Sequence, residues 1–68
     1  MNKLAIGEIW TYEFPTLIVL LLDSFVYRTD VIWITLIIHD HRISQNAGTK
    51  RRFFEFNMTN NTVWKKIA

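Results

Sequence analysis

The sequence predicts a small all-β domain, and three observations lead to that prediction. Ile, Val, Thr, Phe, Tyr and Trp dominate the 68 residues, and these β-branched and aromatic side chains favour strands. Apolar and polar residues alternate with a period of two along residues 8–14 and 50–58. Before position 47 the chain has a single alanine, so the strongest helix former is almost missing. We therefore predict five strands in one domain that spans residues 1–68.

The apolar runs and the breaks between them define the five strands. They are expected over residues 8–14, 16–25, 31–40, 50–58 and 63–67. Pro15 has no N–H for sheet pairing, so it should separate the first strand from the second. Residues 27–30 are a polar connection that suits a hairpin, whereas residues 41–49 form the longest loop. Residues 59–62 are polar and suit a single 3₁₀ turn before the last strand.

A buried helix is the alternative for the very apolar stretch over residues 17–38. Short apolar runs do not distinguish a buried helix from a buried strand by periodicity alone. The uninterrupted runs here, 17–22 and 31–38, are short and rich in β-branched side chains, and polar residues separate them. Run length and composition therefore favour two strands joined by a turn.

No segment is predicted to cross a membrane or to direct secretion. A spanning helix needs about 20 apolar residues, and Asp23, Arg28 and Asp30 interrupt the one candidate stretch. Gly7 and Glu8 break any N-terminal apolar segment of the kind that a signal peptide has. Cysteine is absent, which fits a reducing compartment. We expect a cytoplasmic protein, or a virion component that is assembled in the host cytoplasm.

The order and spacing of the predicted strands resemble those of SH3-like small barrels. The opening Gly7-Glu8-Ile9-Trp10 is similar to the Gly–acidic–apolar–aromatic start of such barrels. The closing Val63-Trp64-Lys65-Lys66-Ile67 is similar to their short final strand. The resemblance covers about the whole chain and implies a five-stranded barrel, but it implies no activity, because the fold serves many functions. Composition and size also resemble those of small proteins from tailed phages, especially phages of marine cyanobacteria.

The two central strands are apolar on both faces, although a barrel has only one interior. One face should fill the core, and the predicted core residues are Ile9 or Trp10, Ile18, Leu20, Leu22, Ile34, Leu36, Ile38, Phe54, Phe56 and Trp64. The other face would then be an exposed apolar patch of the kind that marks interfaces. Such a patch predicts a homo-oligomer, most simply a twofold-symmetric dimer. The candidate contact residues are Val19, Leu21, Val31, Trp33 and Ile37.

The formal net charge is only +2, but the charges are unevenly distributed. Acidic residues outnumber basic ones over residues 1–40, whereas basic residues dominate residues 41–68. Basic side chains beside aromatic rings, as in residues 50–56, are typical of single-stranded nucleic-acid platforms, although Glu55 interrupts the run. A nucleic-acid-binding barrel is therefore the alternative function. Its candidate contacts are Lys50, Arg51, Arg52, Lys65 and Lys66.

The sequence contains no motif for catalysis or for metal binding. Cysteine is absent, and Ser24 and Ser44 lie in no nucleophile motif. His39 and His41 would share one strand face and could bind a divalent metal, but the sequence assigns no third ligand. We therefore expect no enzyme activity, no metal and no cofactor. The sequence favours a non-enzymatic viral interaction or structural module that binds protein, itself included.

Overall fold

The computed structural model describes residues 4–13, 16–60 and 63–68, which form five antiparallel strands in one open sheet. The strands are β1 Ile9–Glu13, β2 Thr16–Tyr27, β3 Asp30–Asp40, β4 Lys50–Phe54 and β5 Trp64–Lys66. Their order across the sheet is β4-β3-β2-β1-β5. The all-β prediction and the number of strands are confirmed. Phe14 and Pro15, where the first strand was expected to end, lie outside the described residues.

The long β2–β3 hairpin forms the centre of the sheet. Tyr27 pairs with Asp30, so only two residues make the turn, and Arg28 adopts a positive φ of 59° there. Along the ladder Leu22 in β2 and Ile38 in β3 have no residue opposite them, which marks two β-bulges. A bulge shifts the alternation of side chains by one residue and bends the strand. The two bulges therefore bend the hairpin and change which residues face the core.

The core lies on one side of the sheet, which we call the inner face. Its buried hydrophobic residues are Leu4, Trp10, Leu17, Val19, Leu21, Trp33, Ile37, Met58 and Trp64. Buried polar atoms on this face have partners. The Thr35 hydroxyl donates to the Arg51 carbonyl oxygen at 2.8 Å, and the Trp33 indole N–H donates to Glu55 Oε2 at 2.8 Å. These bonds remove the penalty that unpaired buried polar groups would carry.

The predicted core was wrong for the central strands, because the opposite face is the buried one. Trp10 and Trp64 are buried as predicted. The other predicted core residues are half-buried or exposed, namely Ile9, Ile18, Leu20, Leu22, Ile34, Leu36, Ile38, Phe54 and Phe56. Over residues 17–22 and 31–38 the face predicted as core carries seven aliphatic residues and the other face five, so aliphatic content favoured the wrong face. The buried face is the one that carries Trp33, whose large ring fills the interior and whose polar atom finds a partner.

A short helix replaces the second half of the strand predicted over residues 50–58. β4 ends at Phe54, and α1 covers Glu55–Thr59. The Thr59 hydroxyl donates to the Glu55 carbonyl oxygen at 2.9 Å, and the helical turn directs Met58 into the core. Burial of Met58 therefore overrides the period-two pattern of the sequence. The 3₁₀ turn lies at Ser44–Asn46, in the long loop after β3. One was expected over residues 59–62 instead, and residues 61–62 of that stretch lie outside the described residues.

The two edge strands approach each other over the inner face. Phe53 on β4 contacts Trp64 on β5 edge to face, with ring centroids 5.2 Å apart. Trp64 in turn contacts Tyr12 on β1 at 5.3 Å. No strand pairing joins β4 to β5 within the described ranges. The sheet is therefore strongly curved, and aromatic side chains bridge its open edges.

Candidate functional site

The surface opposite the core, which we call the outer face, is apolar across four strands. The strand register places three rows of neighbouring side chains on it: Ile9, Leu20, Leu36 and Lys50; Asp23, Ile34 and Arg52; Phe25, Ile32 and Phe54. Phe54 is 46% exposed, and the other apolar members are half-buried. A continuous apolar surface of this kind is typical of an interface.

The five residues predicted for a self-contact lie on the other side of the sheet. Val19, Leu21, Trp33 and Ile37 are buried in the core of a single chain. Val31 is partly buried and packs against the same core. These residues do not form a free surface, so the prediction that they make the contact between two copies of the chain is wrong. The second apolar face that the sequence indicated is present, but it consists of the residues that were predicted to be buried.

The five basic residues predicted for nucleic-acid binding do not form one surface. On β5, Lys65 Nζ lies 3.0 Å from Glu13 Oε1, and Lys66 Nζ lies 3.1 Å from Glu8 Oε2. These two lysines therefore form ion pairs with carboxylates of the N-terminal segment.

The remaining three basic residues belong to β4, and its alternation divides them between the faces. Lys50 and Arg52 lie opposite outer-face residues of β3, whereas Arg51 pairs with the buried Thr35 on the inner side. The Arg51 guanidinium is 5.0 Å from the Phe53 ring centroid, and that of Arg52 is 5.5 Å from the Phe25 centroid. Both arginines therefore lie over aromatic rings, where cations are attracted.

A cavity of about 470 Å³ opens between the edge strands, and we call it the basic cleft. Its lining includes the arginines Arg42, Arg51 and Arg52, the aromatic residues Tyr12, Phe53 and Trp64, and the carboxylate of Asp40. The sequence did not predict Arg42 and Tyr12 as part of a site. Tyr12 lies on β1, whereas Arg42 follows β3, and only the curvature of the sheet brings both to one cavity. No spacing along the chain indicates that juxtaposition.

Two carboxylates near the ends of the strands accept several hydrogen bonds. The pKa of Asp40 lies below its usual value, chiefly because the Asn46 side-chain amide donates to Oδ2 at 2.8 Å. The pKa of Glu8 is also lowered, chiefly because the Ala5 backbone N–H donates to Oε1 at 2.9 Å. The Trp10 indole N–H donates to the same Glu8 oxygen at 3.1 Å. Both carboxylates are therefore stabilised in their charged form.

Acid should destabilise the fold through these two groups. Because each pKa is lower in the folded chain than in the unfolded one, their contribution to stability is complete above about pH 5. It is lost as the pH falls through about 4 and then through the lowered pKa values. Calorimetry should show a melting temperature that falls across this range, and the decline should be shallower in a Glu8→Gln, Asp40→Asn double variant. An equal slope in the two proteins would contradict this assignment.

The part of the chain that the structure describes offers neither a membrane-spanning helix nor a cluster of metal ligands. No helix there is long and apolar enough to span a bilayer. His39 and His41 are both exposed, and no cluster of three or more His, Asp or Glu side chains suited to a metal ion occurs among the described residues.

The outer face and the basic cleft are thus the two surfaces whose composition suits a partner. The outer face is largely apolar across four strands, and the cleft is lined by aromatic and cationic residues. In comparisons with known proteins, no family model, no curated protein and no solved structure matches the chain.

Proposed function

We propose that this protein is a non-enzymatic interaction module that forms a twofold-symmetric dimer by stacking two outer faces. The observation that carries the proposal is the row Asp23, Ile34, Arg52 across β2, β3 and β4. An acidic residue, an apolar residue and a basic residue stand side by side on an apolar surface. Such a row is complementary to a copy of itself turned by half a rotation.

The geometry follows from the strand order. A twofold axis that runs parallel to β3 above Ile34 exchanges the positions of β2 and β4 between the copies. It places Arg52 over Asp23 of the partner subunit at both ends of the row. In the next row it places Phe25 over Phe54 of the partner subunit. In these two rows each charge thus meets an opposite charge, and each aromatic ring meets another ring. In the remaining row Lys50 lies over Leu20 of the partner subunit, where its aliphatic stem can cover the leucine.

Face-to-face stacking is favoured over the joining of sheet edges. The edge strand β4 carries Lys50, Arg51 and Arg52, and the edge strand β5 carries Lys65 and Lys66. Charged side chains on short edge strands oppose pairing with another strand. Two apolar sheet faces, in contrast, pack about 10 Å apart and interdigitate their side chains, as in a β-sandwich.

Charge reversal tests the proposed dimer directly. Sedimentation equilibrium at micromolar concentration should give a dimeric mass for the unaltered chain. The Asp23→Arg and Arg52→Asp variants should each weaken association at least about tenfold, because each places two like-charged pairs in the contact. Mixing the D23R and R52D chains should restore a dimer, because opposite charges again face each other in the mixed pair.

A matched control lies at the tip of the hairpin. Arg28 is exposed in the β2–β3 turn, away from the three rows, so Arg28→Asp should leave the dimeric mass unchanged. A monomeric mass for the unaltered chain would overturn the proposal. So would D23R and R52D chains that stay monomeric after mixing.

We also propose that the sheet is an SH3-like barrel of viral origin that works in the host cytoplasm or in a virion. The strand order β4-β3-β2-β1-β5, the bulges in the central hairpin and the Phe53–Trp64 contact between edge strands support the fold assignment. The resemblance in composition to small phage proteins supports the origin. Genes for capsid or tail proteins on either side of the coding sequence would strengthen this proposal, and replication genes would weaken it.

A further inference from the structure

Among the residues that the structure describes, the basic cleft is lined by three arginines and by one carboxylate, that of Asp40, so positive charge predominates in it. The ion pairs within residues 4–13, 16–60 and 63–68 are Lys65–Glu13 and Lys66–Glu8, and neither includes an arginine of the cleft. The carboxylate of the cleft, Asp40, accepts hydrogen bonds from the Asn46 amide and from the Arg42 backbone N–H. Asp40 also attracts Arg42 electrostatically and so offsets part of the positive charge of the cleft. Because none of the three arginines belongs to an ion pair within the described ranges, the remaining positive charge can attract an external anion.

Aromatic rings line the same cavity as these cations. Tyr12, Trp64 and Phe53 form a continuous series of edge-to-face contacts along its wall. The Arg51 guanidinium lies over the Phe53 ring at 5.0 Å, so a cation and a ring are presented together. Flat bases stack both on aromatic rings and on guanidinium planes. A ligand that combines negative charge with flat rings would satisfy both features.

The size of the cleft suits a unit of one nucleotide. Its volume of about 470 Å³ falls within the range of about 300–1,000 Å³ that is typical of small-molecule pockets. A duplex presents its phosphates outside and keeps its bases stacked inside, so its rings could not enter the cavity. In a single strand the bases can turn outward into a pocket while the phosphates stay at its rim.

We propose that the basic cleft binds single-stranded nucleic acid, with phosphates on Arg42 and Arg51 and a base against the aromatic wall. This inference goes beyond the proposed dimer and does not depend on it. Arg52 also lines the cleft but belongs to the outer face, where the dimer would use it. The proposed phosphate contacts are therefore Arg42 and Arg51 alone, and Lys65 and Lys66 do not line the cleft.

Fluorescence anisotropy with labelled octamers of thymidine and of uridine tests the proposal. Two phosphate contacts predict that affinity falls about sevenfold between 50 and 200 mM salt, because a single strand loses about 0.7 in slope per phosphate. Arg51→Gln and Arg42→Gln should each weaken binding and lower the salt slope by about 0.7. The two octamers distinguish RNA from DNA as the preferred strand.

Two controls separate this site from general attraction to a basic protein. Arg28→Gln removes the same charge at the hairpin tip, outside the cleft, and should leave affinity unchanged. An abasic octamer keeps the phosphates but lacks the rings, and it should bind roughly tenfold more weakly, because stacking then contributes nothing. Equal effects of R28Q and R51Q, equal affinity for the abasic strand, or no binding at 50 mM salt would each overturn the proposal. None of these outcomes bears on the dimeric mass.

Discussion

Replacement of Leu21 by alanine should lower the free energy of unfolding by about 2–5 kcal/mol. Leu21 is 0% exposed at the centre of β2, where its side chain packs within the core cluster. Truncation removes buried methyl groups and leaves a cavity that the surrounding side chains fill only partly. A domain of this size has a total stability of about 3–10 kcal/mol, so this single change should unfold a measurable fraction of the protein.

The neighbouring leucine is the matched control for this prediction. Leu20 precedes Leu21 on the same strand but lies on the half-buried outer face, so Leu20→Ala should cost about 1 kcal/mol or less. Urea denaturation measures the free energy of unfolding of both variants. Both are made in the D23R background, in which the proposed dimer is weakened, so that loss of the dimer contact does not add to the measured change. Equal losses of unfolding free energy for Leu20→Ala and Leu21→Ala would contradict the burial of the inner face.

Met58→Ala should also destabilise the fold by about 2–5 kcal/mol, whereas Phe56→Ala should change stability by less than about 0.5 kcal/mol. Met58 is 1% exposed and Phe56 is 67% exposed, although both are large apolar residues two positions apart. The helical turn of α1 places them on different sides of the chain. The larger residue is therefore the one that matters less.

This pair of variants distinguishes the helix from the strand that the sequence pattern predicts. In a strand, residues two positions apart face the same side, so both truncations would have similar effects. In the helical turn only the methionine contacts the core. Chemical denaturation of the two variants is the measurement. A loss of stability for Phe56→Ala as large as that for Met58→Ala would contradict the helical assignment.

The positions of the strands could be predicted from the sequence because their signals are local. The hairpin connection within residues 27–30, the alternation in β1 and the apolar runs of β2 and β3 all lie where expected. Each of these features depends on neighbouring residues only. The bounds of β1, β2, β3 and β5 differ from the predicted ones by at most two residues, whereas the strand predicted over 50–58 ends at Phe54 and continues as α1.

Which face of the central strands is buried could not be predicted, because it depends on contacts between residues that are distant in the sequence. Residues 17–22 and 31–38 are almost entirely apolar, so neither face has a polar signature. The deciding contacts are the bond from Trp33 to Glu55 and the bond from Thr35 to Arg51. The bulges at Leu22 and Ile38 then shift the alternation within each strand. A period-two count along the sequence does not detect either effect.

The candidate cleft was only partly visible in the sequence for the same reason. Arg51 and Arg52 stood out because they occur beside phenylalanines. Lys65 and Lys66 stood out equally, and only the structure shows that they form ion pairs with Glu13 and Glu8. Local composition identified where the charges are, whereas the tertiary structure determines which of them form ion pairs.

The two-residue turn of the β2–β3 hairpin has a consequence for the order in which the chain folds. Closing a short loop loses little chain entropy, so this hairpin can form before the rest of the sheet. The pairing of β1 with β5 joins the two ends of the chain, and its loop-closure penalty is larger. Until β5 pairs with β1, Trp64 cannot contact the rings of Tyr12 and Phe53. The pairing of β5 with β1, and not the formation of the hairpin, should therefore limit the rate of folding.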